Sequence, residues 1–338
     1  MRKSRLVLLI TAILVTTGCS IPVIGSSVNK EKVVKTIETE APSEVVASQV
    51  VETPPIENSS CPQYKGMLLF ASQTVQGDYK SFEIFSASAD GSNLVQITRN
   101  SYWDGNPSWS PNYCQIAFTS DISETNHEEI FVVNADGSNL VQITDDPAQD
   151  REPSWSPDGS RISFMRENDG NREIFIMDSN GSSEFQLTDN PENDNDPEWS
   201  PVNNEIVFSS RRDGNWEIYK VNDDGAGLIR LTNDKMQDTH PAWSPDGSQI
   251  AFLSNRSAYN EIYIMDKDGS NLKKITNQGG STDIGLTIDL SWSSDGQWLA
   301  VGCITPETSE AVCVVHPDGS SLHVLINRGG FWSREPDW

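Results

Sequence analysis

A closed all-β ring, a six-bladed β-propeller of four-stranded antiparallel blades, is the fold the sequence predicts. Three observations predict it. A phrase built on Pro-x-Trp recurs as NPSWSPNYCQIAF, EPSWSPDGSRISF, DPEWSPVNNEIVF and HPAWSPDGSQIAF, with weaker forms DLSWSSDGQWLAV and EPDW. Its tryptophans, Trp109, Trp155, Trp199, Trp243, Trp292 and Trp338, stand 46, 44, 44, 49 and 46 residues apart. After residue 60 the apolar runs are short, β-branched or aromatic, and bounded by Gly, Asp, Asn and Pro, which is strand chemistry. Four short strands per ~45 residues make one propeller blade.

Each repeat supplies its strands in one order. The Trp closes the innermost strand, and a large ring there fills the wedge between neighbouring blades. A Ser-Pro-Asp-Gly-like turn reverses the chain into a second strand, such as RISF, EIVF or QIAF. A third strand follows, as EIFVV, EIFIM, EIYKV or EIYIM, then a turn such as NADGSNL or DKDGSNL. The Asp-Gly steps provide the positive φ that tight hairpins need. A fourth strand ends in Leu-Thr or Ile-Thr, and a polar loop leads to the next Pro-x-Trp. The segment GMLLFAS has no Trp strand before it, and EPDW has no strand after it. Trp338 is therefore expected to be the inner strand of the blade whose other strands lie in residues 67–98, which closes the ring.

The first 60 residues follow different rules. MRKSR is a positive n-region, and LVLLITAILV is an apolar run of ten residues. As a helix that run is roughly 15 Å long, half of a ~30 Å bilayer core, so residues 1–18 read as a signal peptide. Gly18-Cys19 resembles a bacterial lipobox, with Thr16 in place of the usual Leu, so Cys19 is the expected lipidation site. An ordinary signal peptide with a chance cysteine is the alternative. Residues 20–60 lack Phe, Trp and Tyr and are rich in Ser, Thr, Glu, Val and Pro, so residues 19–60 read as a flexible tether. Residues 61–338 form the propeller. Export permits disulfides. Cys303 and Cys313 flank a short hairpin, Cys61 and Cys114 each lie near a strand start, and two bridges are favoured over four free thiols.

The phrase P-x-W-S-P-D-G-x-x-I-A-F, followed by E-I-Y/F, D-G-S-N and L-T, resembles the propeller repeat of the TolB family over residues 66–338. The resemblance does not include the N-terminal α/β domain of that family, whose place the tether takes. It implies a protein-binding role in the periplasm or at the cell surface.

Net charge is −25, which argues against nucleic acid and anionic lipid surfaces and leaves a basic partner, a cation or a neutral ligand. The longer, variable loops share one face of the ring, where binding residues usually sit. On it SYWDGN and GFWSRE precede Trp strands of adjacent blades, so Tyr102, Trp103, Phe331 and Trp332 are expected as neighbours on the rim. They are either partner-binding anchors, a sugar-stacking surface, or a seal over the ring closure. Three residues before each Trp stand Asn106, Glu152, Asp196, His240, Asp289 and Glu335; five before, Asp104, Asp150, Asp194 and Asp238. Both sets are expected to ring one channel mouth, where carboxylates hold Ca²⁺ or a basic segment, or else cap turns. The four histidines do not bring three ligands to one place, and no G-x-S-x-G elbow occurs. No enzyme and no required cofactor is expected. The reading is a monomeric, lipid-anchored scaffold that binds an envelope protein, basic or peptide-like; the alternative is a carbohydrate-binding protein or, further off, a propeller glycosidase or lyase.

Overall fold

The computed structural model describes residues 60–122, 127–257, 259–277, 284–305, 308–328 and 333–338. The leader, Cys19 and the tether lie outside the described residues, as do Phe331 and Trp332. Six four-stranded sheets form the ring, each antiparallel and ordered from the channel outward. Blade 2 runs Asp104–Trp109, Gln115–Ser120, Glu129–Asn134, Val141–Gln142, and blades 3 to 6 repeat it from inner strands Gln149–Trp155, Asp194–Trp199, Asp238–Trp243 and Gly285–Trp292. Blade 1 joins the inner strand Ser333–Asp337 to Met67–Gln73, Phe82–Ser88 and Val95–Gln96, pairing Leu69 with Asp337 and Ser72 with Ser333. The predicted six-bladed fold and its closure are the fold observed. The outer strands of blades 1 to 5 are two residues long, which leaves little edge for another chain to pair with. Among the described residues no helix is long and apolar enough to cross a membrane.

The six anchor tryptophans are 3–7% exposed. Each packs against the sheet of the preceding blade: Trp155 on Ala117 and Ile130, Trp199 on Met165 and Ile174, Trp243 on Val207 and Ile218. Several also pin that blade by donating the indole N–H, Trp155 to the Ser108 carbonyl at 3.2 Å and Trp292 to that of Ala242 at 3.2 Å. The glycine hairpins that lead into the outer strands add a contact between blades. Gly181, at φ +81°, lies so close to the Ile143 carbonyl that a Cβ would overlap it, whereas Gly170, at φ +84°, has open space around it. Gly170→Ala is expected to lose roughly 1–2 kcal/mol for the left-handed backbone alone. Gly181→Ala carries the same term plus a clash with main chain, and is expected to lose roughly 3 kcal/mol or more in urea unfolding.

A polar network is buried inside each of blades 2 to 5. Thr144, Thr188, Thr232 and Thr276 each donate at 2.6 Å to a glutamate at or near the start of the third strand, Glu129, Glu173, Glu217 and Glu261 respectively. The same hydroxyls accept the following backbone N–H at 2.9 Å, so a strand end that has run out of ladder partners is satisfied.

Here the expected position of four aspartates is corrected. Asp104, Asp150, Asp194 and Asp238 do not reach the channel mouth; all are 0% exposed inside the blades. Asp104 accepts from Ser120 Oγ at 2.6 Å, Asp150 from Arg166 Nε at 2.7 Å, Asp194 from Arg212 Nη2 at 2.7 Å and Asp238 from Arg256 Nη2 at 2.5 Å. In a regular strand, residues five and three before the Trp would share a face. A bulge between Asn195 and Glu198, repeated in the other blades, breaks that alternation and turns the aspartates into the sheet.

Cys61 is bonded to Cys114, and Cys303 to Cys313. Cys61 N also donates to the Asn112 carbonyl at 2.9 Å, so the chain enters the propeller beside the turn that follows Trp109.

Candidate functional site

The bulge builds the centre of the molecule. Asn106, Glu152, Asp196, His240, Asp289 and Glu335 all adopt left-handed backbone, with φ of 46°, 57°, 55°, 51°, 51° and 56°. A non-glycine residue there is uncommon, and six at one equivalent position form a ring of backbone strain. At three of the positions the N–H meets the ring side chain of the preceding blade, while Glu152 N donates to Thr119 Oγ1 at 3.3 Å. Glu335 Oε2 accepts from Asn106 N at 2.8 Å, Glu152 Oε2 from Asp196 N at 2.8 Å, and Asp196 Oδ2 from His240 N at 3.2 Å. The acids are thus fasteners between blades as well as charges at a mouth.

A second tier lies below, one residue before each Trp. Glu198 accepts from Trp243 N at 2.9 Å, Asp337 from Trp109 N at 2.8 Å, and Ser154 from Trp199 N at 3.0 Å. Sequence reasoning passed over this tier; its signal was the mixture Ser, Ser, Glu, Ala, Ser, Asp at the position directly before the Trp. The two tiers, the prolines between them and the turn prolines enclose a channel of about 560 Å³. A cavity of about 470 Å³ opens above the ring, lined by Lys80, Trp103, Asp121, Glu128 and Arg151 on the loop side. Glu128 and Arg151 pair across this rim.

Burial and the neighbouring Asp196 push Glu152 up to about 8. Burial lifts Glu198 well above the usual carboxylate range and also raises Asp337. His240 Nε2 lies 3.7 Å from Asp196 Oδ1 and 3.8 Å from Asp289 Oδ1. Burial works to lower the His240 pKa, but Asp196, Asp289 and Glu152 outweigh it and raise it. The mouth therefore combines carboxyl groups, with Glu152 protonated up to about pH 8, and one imidazole. Among the described residues no three His, Cys, Asp or Glu side chains converge to hold a metal ion. The Ca²⁺ alternative at this mouth gains no support: Glu335, Glu152 and Asp196 are turned to backbone N–H groups of the next blade.

The rim aromatics are split. Tyr102 is 41% exposed. Trp103 is half-buried; its indole packs beside Gly105 on the core shared by blades 1 and 2, and its backbone N–H donates to Asp121 Oδ1 at 2.7 Å. It acts as a seal as well as a rim residue.

Solved structures similar to this chain share the fold. TolB from Acinetobacter baumannii superposes with a TM-score of 0.70 at 21% identity, over 81% of this chain and 66% of that one. The putative TolB from Agrobacterium tumefaciens gives 0.55 at 21% identity, over 73% and 90%. An oligogalacturonate lyase in complex with manganese gives 0.53 at 13% identity, over 79% and 75%. This chain thus spans just under two thirds of the Acinetobacter protein's length. The search of curated proteins finds no match. In the comparison with protein families, residues 62–232 and 187–338 both match the TolB beta propeller domain, and the two overlapping stretches take in all six blades. By its repeat, its ring and this match, the chain belongs to the TolB beta propeller domain family.

Proposed function

We propose that this protein is a non-enzymatic scaffold of the bacterial cell envelope, lipid-anchored at Cys19, that binds a basic, peptide-like segment of another envelope protein. The observation that carries the reading is the mouth: Glu152, Asp289 and Glu335 line an open cavity of about 470 Å³, and Asp196 lines the channel that it meets. Exposed Tyr102 stands on the loop that carries Trp103 to this rim. A cationic side chain there meets Asp196, Asp289 and Glu335, beside a Glu152 that holds its own proton below about pH 8, in a partly desolvated site where charge attraction exceeds that at an open surface. The net charge of −25 steers such a partner toward the molecule.

The test is affinity capture from an envelope extract with the parent chain and with Asp289→Asn and Tyr102→Ala. The parent is expected to retain a protein partner that the variants lose, with binding that weakens several-fold between about 50 and 300 mM salt. Retention that ignores salt and the Asp289 change, but requires Tyr102, would instead indicate a glycan.

A further inference from the structure

Blade 6 departs from the repeat at three positions, and the fold brings the three together. Where Gln115, Arg161, Glu205 and Gln249 supply the carbonyl that closes the turn after the Trp, blade 6 has Trp298. Where Asn134, Asp178, Asn222 and Asp266 donate across the Asp-Gly hairpin, it has His316. Where Val141, Phe185, Ile229 and Lys273 open the outer strand, it has His323. The His316 imidazole stacks on the Trp298 indole with ring centroids 3.6 Å apart, and His323 stands edge-on to the same indole at 5.8 Å.

Both imidazoles are oriented through one nitrogen. His316 Nδ1 is 2.7 Å from the Gln297 carbonyl oxygen, and His323 Nδ1 is 2.6 Å from that of Ser321. A carbonyl oxygen only accepts, so both Nδ1 atoms carry the hydrogen and each neutral ring keeps its lone pair on Nε2. Metal-bound histidines adopt this arrangement: one nitrogen donates to a carbonyl, which fixes tautomer and ring plane, and the other ligates. His323 is exposed and His316 half-buried, so solvent reaches the cluster.

We propose that His316 and His323, held by Trp298, form a site for a borderline divalent metal ion, Cu²⁺ above Zn²⁺, bound through the two Nε2 atoms. Imidazole donors suit these ions rather than Ca²⁺ or Mg²⁺, and among divalent ions Cu²⁺ heads the affinity order. Two protein ligands leave the other positions to water, so the ion is exchangeable. The site lies on the turn side of blade 6, away from the acidic mouth, and is independent of the partner-binding reading.

The test is titration of the full chain with Cu²⁺, and in parallel Zn²⁺. Electron paramagnetic resonance at substoichiometric Cu²⁺ reads nitrogen coordination. Quenching of the fluorescence that Trp298→Phe removes reads where the ion sits. The expected result is a two-imidazole Cu²⁺ spectrum with quenching of Trp298. His316→Ala or His323→Ala should weaken binding at least about tenfold at unchanged melting temperature; His127→Ala and His240→Ala should leave it as it was. Affinity and spectrum that survive the double His316→Ala/His323→Ala change would overturn the site. So would loss that follows His240→Ala, which would place the ion in the channel mouth.

Discussion

Removal of residues 333–338 is expected to unfold the ring rather than fray its edge. Trp338 is 7% exposed between blades 6 and 1, on Ala300, Val312 and Phe70. Its indole donates to the Gly66 carbonyl at 3.1 Å, and its backbone N–H to Ser291 Oγ at 3.1 Å. Asp337 holds Trp109 N at 2.8 Å across the other boundary. Truncating a buried ring of this size costs about 3–5 kcal/mol. The deletion also strips the strand that covers Met67–Gln73 and opens both interfaces of blade 1. The sum approaches the roughly 5–15 kcal/mol that holds a native protein folded. Trp338→Ala should lower the urea midpoint strongly, and the six-residue deletion should leave little cooperative transition. A truncated chain melting with the parent would refute closure by this strand.

Alkaline loss of stability is the second large effect. Burial, with Glu83 close by, pushes Asp104 up to about 8, and burial raises Glu129 and Glu152 to about 8 as well. The corresponding ordinary values are 3.8 and 4.5, so between about pH 4 and 8 the folded chain holds protons that the unfolded chain releases. Stability from these groups is present below the ordinary values and is lost as pH rises through 8. His240, raised by its acid neighbours, acts in the same direction, its contribution fading as pH rises through its folded value. The turn aspartates, Asp136, Asp158 and Asp246 among them, oppose this below about pH 4, because hydrogen bonds from neighbouring serines lower their values. Thermal melts from pH 4 to 9 should therefore peak on the mildly acid side and fall toward pH 9, by an amount on the order of a few kcal/mol. Asp104→Asn, with the shape of the neutral acid, should flatten the alkaline fall. Melting that rises from pH 5 to 9, or an Asn variant with the parent's slope, would contradict it.

The same chemistry explains what sequence alone could and could not place. Position in the repeat assigned each Trp to an inner strand, because a Trp followed by a proline-containing turn is a local signal that recurs. It did not assign direction to the acids around that Trp. Asp150 and Glu152 differ by two residues and look equivalent on a strand of period two, yet one is buried against Arg166 and the other lines the channel. What separates them is the left-handed residue before proline, a conformation for which Glu, Asp and His carry no propensity signal.

By itself the sequence determined the number of blades, their four-strand content and the closure of the ring by Trp338. These follow from short-range patterns repeated at a fixed period, and each repeat must bury its apolar face against the next. Only the tertiary structure decided which acids face the channel, that Cys61 meets Cys114, and that Trp298, His316 and His323 come together. Those outcomes depend on a bulge and on contacts between distant segments, which exist only once the strands are paired.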